Sequence, residues 1–320
     1  MVDGRDSLPP VMRVHQVHHI HQVHFPKGAR TMKPCYGGLE AGGTKFNCIV
    51  SSGPDDIRAE CRIPTATPAE TLGQAIEFFR GHEIAALGVG CYGPLDLNPG
   101  SSTYGKLFAV SKPHWSHADL LGPLRVLGVP LALETDVGIA ALGETQWGAA
   151  QGCDHMVYLT VGTGIGGAAI VDGKLLHGRP HPGMGHIRIS REPGDDFPGC
   201  CPFHGDCLQG LASGKAMQER WGIRADELPA DHPGLALEAT YLARALATFH
   251  YTLSPQRIVL GGGVTMDQPH LLPRVRAEFR RQLAGYSPPD GDLETYIQPA
   301  ALGNRAGMLG AIRLAQLARA

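Results

Sequence analysis

The sequence predicts an α/β protein built from two related halves with a cleft between them. Strand and helix patterns alternate along the chain, the order hairpin, strand, helix, strand, helix occurs twice, and a glycine-rich turn closes a strand pair in each half. Tyr36–Ala41 and Phe46–Ser51 read as the first hairpin and Ala59–Ile63 as a third strand. Pro68 opens a helix through Phe79, with Leu72, Ile76 and Phe79 on one face. Ala85–Cys91 reads as a buried strand, Asp96–Trp115 as a long polar loop, Ala118–Leu127 as a helix and Leu131–Thr135 as a strand. Val137–Trp147 follows as an alanine-rich helix. The second set starts with strands Met156–Val161 and Ala168–Val171, turning at Asp172-Gly173. Helices are expected near Leu208–Trp221 and Leu235–Leu253, a strand at Arg257–Leu260, a helix at Pro269–Leu283, a short strand at Tyr296–Gln298 and a closing helix at Gly303–Ala318. The repeat is one of pattern, not of residues.

A chain of 320 residues with 43% hydrophobic and 18% charged residues buries a large core of one or two domains. Its net charge of -2 leaves no footprint for nucleic acid or an anionic membrane, and no apolar run is long enough to span a bilayer. The eight cysteines are not spaced as a disulfide framework. Cys35, Cys48, Cys61, Cys91 and Cys153 are scattered and read as small buried hydrophobes. The cluster Cys200, Cys201 and Cys207 lies among histidines, which favours metal in a reducing compartment, the cytoplasm. Residues 1–35 form a His-rich extension expected to be disordered, and Met32 reads as the natural start.

Four constellations carry chemistry. Gly42-Gly43-Thr44-Lys45 and Gly162-Thr163-Gly164 read as hairpin tips with exposed backbone N–H groups, where glycine supplies positive φ and lets a ligand approach. A pair of such turns can hold a polyphosphate from two sides. Gly261-Gly262-Gly263 ends a strand and precedes a helix, the place where ligands bind in α/β sheets; a flat nucleoside could rest on its bare backbone. Asp136 falls where a strand stops and a helix starts, so it reads as an N-cap, as a general base kept ionised by the helix end, or as both. His186 with Cys201-Pro-Phe-His204-Gly-Asp-Cys207 offers two thiolates and two imidazoles, which fill a tetrahedral structural zinc shell; Cys200 is an alternative to Cys201.

The segments GGLEAGGTKF, GVGCYGPLDLNP, TDVGIAALGE, YLTVGTGIGGAAIV, HPGMGHI, CPFHGDCLQGLASGKAM, IVLGGGV and LGNRAGMLGA lie collinearly from Tyr36 onward. Together they resemble the ROK-family sugar kinases, specifically bacterial fructokinases. The resemblance implies a two-domain actin-like ATPase (ribonuclease H-like) fold with a central cleft and a structural zinc loop at 186–207. One half would comprise 36–135 plus 303–320 and the other 136–302. It implies ATP-dependent, Mg2+-assisted phosphorylation of a hexose, D-fructose giving fructose 6-phosphate, by a homodimer. It maps the base onto Asp136, phosphate contacts onto Thr44, Lys45, Thr163 and Gly164 beside Gly42 and Gly43, and nucleoside contacts onto Gly262 and Gly263. It maps sugar contacts onto Asp136, His186 and Gln209, and zinc ligands onto His186, Cys201, His204 and Cys207.

Three positions depart from the family pattern. Gly138 stands for the usual Asn, Gly183 for a usual Glu, and Gln209 for another Glu, all on the sugar side. The two glycines are expected to enlarge the acceptor pocket, with His181 or Arg179 filling part of the gap. A kinase for mannose or an amino sugar, or a catalytically weak sugar- or nucleotide-binding regulator, stays open beside fructokinase.

Overall fold

The computed structural model describes residues 33–319 apart from Ser111 and Pro180, so the His-rich segment up to Met32 lies outside the described residues. The chain starts with the hairpin β1 (Tyr36–Ala41) and β2 (Lys45–Ser51), followed by β3 (Ile57–Pro64). Thr67 then caps α1 (Pro68–Arg80) in a capping box with Glu70, and Pro68 presets the first turn. Next come β4 (Leu87–Cys91), a short α2 (Leu121–Leu124), β5 (Leu131–Thr135) and α3 (Asp136–Trp147). The second set is β6 (Met156–Val161), β7 (Ile165–Val171), β8 (Lys174–Leu175), α4 (Leu208–Ala212), α5 (Gly214–Trp221) and α6 (Pro233–Leu253). It continues with β9 (Arg257–Gly261), α7 (Gly263–Met266), α8 (Leu271–Leu283), α9 (Leu293–Tyr296) and β10 (Ile297–Pro299), and α10 (Ala306–Arg319) closes the chain.

The two five-stranded sheets share one design. The first has the order β3-β2-β1-β4-β5 and the second β10-β9-β6-β7-β8, the same order once each sheet is numbered from its own first strand and read from the opposite edge. In each, the first strand pairs antiparallel with the second and parallel with the fourth. The parallel strand β4, between β1 and β5, is buried throughout, as its covering helices require. Two large cores result. One centres on Leu39, Val89 and Trp115. The other lies under α6 and α8, around Leu242, Ile258 and Phe279.

Helix α10 returns to the first sheet because small residues let it in. A Cβ at Gly88 of β4 would collide with the Ala311 carbonyl, and one at Gly310 would collide with the carbonyl of Ile139 in α3. Glu144, fully buried near the end of α3, accepts hydrogen bonds from the N–H groups of Ala149, Ala301 and Leu302, which ties α3 to the segment leading into α10.

Two expected helices differ. The segment at 118–127 forms only α2 and a 3-10 turn at Arg125–Leu127; Pro123 has no N–H to donate. The helix expected over Leu208–Trp221 breaks at Ser213, whose backbone is extended and whose hydroxyl caps α5 at the Ala216 N–H. That break lets the Gly214 N–H reach the Gly162 carbonyl at 2.7 Å, so the start of α5 docks on the second glycine turn.

Candidate active site

Asp136 is placed by the junction of β5 and α3. Thr135 is the N-cap, its hydroxyl accepting from the Gly138 N–H at 2.9 Å, so Asp136 is the first helical residue rather than the cap. One Asp136 oxygen accepts from the Val137 N–H at 2.8 Å. Burial pushes the Asp136 carboxyl up to about 6, further raised by Glu40 and Glu134 and opposed by the Val137 N–H. The helix end therefore loses to desolvation, contrary to a carboxylate held firmly ionised. A pKa there suits a general base working near neutral pH.

Two cavities include this residue, and a third shares Gly162 and Thr163 with the first of them. The largest, about 910 Å3, takes in Asp136 with Tyr92 and Phe108 on one side and Gly183, His186 and Gln209 on the other. The second, about 460 Å3, takes in Asp136 again, with Lys45, Glu40, Arg62, Gly262 and Arg305. The third, about 470 Å3, lies between Thr163, Gly214, Lys215 and Gly263. Asp136 thus faces an aromatic-rimmed cavity and a charged one at once, and Gly262 and Gly263 separate the charged cavity from the third.

The two glycine turns form as hairpin tips. Gly42 N–H donates to the Lys45 carbonyl at 2.9 Å, and Gly162 N–H to the Gly164 carbonyl at 2.9 Å. Thr65 holds the first tip through its hydroxyl on the Gly42 carbonyl and its N–H on the Thr44 carbonyl. None of Gly42, Gly43, Gly162 and Gly164 has a positive φ, so the expected reason for glycine there is wrong. What matters is clearance: nothing lies within 4 Å of a Cβ built at Gly43 or Gly162. Gly262 is the position that needs φ 88, and a Cβ there would strike the Val161 backbone.

His186, Cys201, His204 and Cys207 come together with their ligand atoms within 4.8 Å of one another. Cys201 Sγ lies 3.7 Å from Nδ1 of both His186 and His204, and Cys207 Sγ 3.6 Å from His186 Nδ1. Metal–ligand bonds of a tetrahedral zinc ion give ligand–ligand edges of about 3.6 Å, so the donor set fits a metal of that size. Cys200 is not in the group; its Sγ sits 3.8 Å from the Ser213 hydroxyl. Desolvation lowers the His186 pKa, which favours the neutral, ligating imidazole.

The three departures resolve differently. A Cβ at Gly138 would lie 2.5 Å from Cγ and Oε1 of Glu134, so that space is already filled and the pocket gains nothing. Glu134 is buried and accepts from the Thr135 N–H at 2.7 Å and from His177 Nε2 at 2.7 Å, and the pair raises the His177 pKa. Gln209 Oε1 accepts from the Ile165 N–H at 3.1 Å, so this side chain braces the second glycine turn while lining the large cavity. Gly183 alone leaves open space, with His186 Cδ2 the nearest atom at 3.9 Å from a built Cβ. His181 does line that cavity.

Residues 36–318 match the description "ROK family". The chain belongs to the ROK family. A fructokinase of Pediococcus pentosaceus is 40% identical over 285 residues, 88% of this chain and 98% of that one. A fructokinase of Zymomonas mobilis is 42% identical over 293 residues, covering 88% and 97%. Among solved structures, the ROK hexokinase of Thermus thermophilus superposes with a TM-score of 0.73 at 29% identity, covering 88% of this chain and 98% of its own. A ROK glucokinase of Streptomyces griseus, solved with glucose and AMPPNP, reaches 0.69 at 25% identity, covering 88% and 99%. The ROK chain described here accordingly has the actin-like ATPase fold, with a ribonuclease H-like sheet in each half.

Sequence reasoning missed several residues of the site. Glu40 in β1 and Asn47 in β2 face the charged cavity, joined at 2.8 Å. A carboxylate within an otherwise apolar, buried strand was the available signal for Glu40. Arg62 carried none, because it lies outside every quoted segment; Arg305 and Lys215 lie within LGNRAGMLGA and CPFHGDCLQGLASGKAM, but only packing shows which cavity each lines.

Proposed function

We propose that the chain is an ATP-dependent fructokinase that transfers the γ-phosphoryl of ATP to the 6-hydroxyl of D-fructose. The carrying observation is that Asp136 opens onto both the large cavity and the charged one. In this reading the large cavity takes the sugar, the charged cavity the terminal phosphates and the third cavity the nucleoside. The fructokinases at 40% and 42% identity support the choice of sugar. The division into halves 36–135 with the closing helix and 136–302 belongs to the same reading, supported by one sheet in each half.

Asp136 accepts the proton of the attacking hydroxyl as that oxygen bonds to the γ-phosphorus. The bond from the γ-phosphorus to the β,γ-bridging oxygen breaks, and its electron pair leaves with ADP. Lys45 lines the charged cavity and faces the growing charge, while the second turn borders the sugar and nucleoside cavities through Gly162 and Thr163; preorganised donors supply most of the acceleration in this chemistry. Glu40 fits a hard cation: Gly307 has no side chain to displace its carboxylate, and Asn47 orients it. Mg2+ held there would neutralise phosphate charge. A zinc ion on His186, Cys201, His204 and Cys207 would have four protein ligands and hence a structural role.

Release of ADP, followed across a panel of hexoses, tests the reading. Fructose is expected to give the highest kcat/KM, and Asp136→Asn to lose turnover by at least about a thousandfold while still binding ATP. Faster turnover of mannose or an amino sugar would reassign the acceptor. Near-normal turnover in Asp136→Asn would remove the base.

A further inference from the structure

Three cations line the charged cavity, and two of them come from outside every phosphate motif. Arg62 lies on β3, opposite Asn47 of β2. Arg305 sits immediately before α10. They share the cavity with Lys45, Glu40 and Asp136. Both arginines are exposed at the cavity rather than packed away. Arg305 reaches a carboxylate only at 3.9 Å, on Glu60, and Arg62 has no ion-pair partner among the described residues. One guanidinium unpaired among the described residues and one held only by a long, exposed ion pair, beside a turn that ends in lysine, are suited to phosphate oxygens, which their planar fork matches in bidentate fashion.

We propose that Arg62 and Arg305 form a clamp on the donor's terminal phosphates, so that the donor is recognised by its polyphosphate independently of its nucleoside. The inference rests on the kinase reading and extends it to donor recognition. Separate cavities support the independence: Gly263 and Thr163 line the nucleoside side, and Gly262, Lys45 and both arginines line the phosphate side. The clamp spans two distant segments, since Arg62 belongs to the edge strand of the first sheet and Arg305 to the entry of the last helix.

Inorganic tripolyphosphate, which carries the phosphates without a nucleoside, is the probe, with Mg2+ in excess. It is expected to inhibit the wild-type enzyme competitively against ATP. Arg62→Ala and Arg305→Ala should each raise the KM for ATP and the tripolyphosphate inhibition constant by roughly 10- to 100-fold, the range for charge-assisted hydrogen bonds. Inhibition by adenosine and the KM for fructose should stay within about twofold, and the lysine substitutions should restore part of the loss. Matching circular dichroism and thermal melts establish that each variant is folded. Unchanged ATP and tripolyphosphate constants in the double alanine variant would overturn the clamp, as would an equal weakening toward adenosine. Calorimetric binding of ATP and tripolyphosphate needs no turnover, so the clamp is judged separately even if no hexose is phosphorylated.

Discussion

Asp136 shows how one residue is tuned by its surroundings. Burial and the neighbouring carboxylates raise its pKa to about 6. Since the base works in its ionised form, log(kcat/KM) should fall with a slope near one as the pH drops below about 6, and stay level above it until another group titrates. A profile flat down to pH 4 would contradict the assignment. Gly138 illustrates the opposite case, where an apparent loss is an exchange. The family's side chain is absent because Glu134 occupies its place and fixes Thr135, the cap beneath Asp136. The large cavity is open at Gly183, not at Gly138.

At the scale of elements, the metal group and the second glycine turn form one unit. Cys207 is the N-cap residue of α4, and Gln209 in that helix accepts from Ile165 at the start of β7. In the proposed reading, loss of the zinc would free α4 and, through Gln209, the second glycine turn. Chelation is therefore expected to lower the melting midpoint by several degrees and to raise the KM for ATP, with zinc restoring both. A metal-free protein with an unchanged midpoint would rule out this structural role. The break at Ser213 serves the same unit, since it places Gly214 against Gly162.

At the scale of the whole molecule, the seam between α3 and α10 joins the helix that carries Asp136 to the first sheet. Gly143 and Gly310 meet there, and a Cβ at Gly310 would enter the Ile139 carbonyl. Gly310→Ala should cost about 3 kcal/mol, at the upper end of overpacking, and lower the melting midpoint by about 5 °C or more. Gly73→Ala, in α1 with nothing within 4 Å of the added carbon, is expected to be neutral or slightly stabilising. Equal midpoints for the two variants would show that the seam yields.

Much of this was legible in the residues. The alternation of strand and helix patterns, the glycine turns, Asp136 at a strand end and the Cys/His spacing are local signals, and each survives without knowledge of distant neighbours. The fold class and the family follow from them. Other features depend on side chains brought together from far along the chain. Glu134 beneath Gly138, Gln209 on Ile165, and Arg62 lining one cavity with Arg305 are such meetings. The pKa of Asp136 is another, because desolvation is a property of everything packed around a carboxylate. Residue order sets which chemistry is on offer; steric clearance and local dielectric, which exist only after packing, set how each group is used.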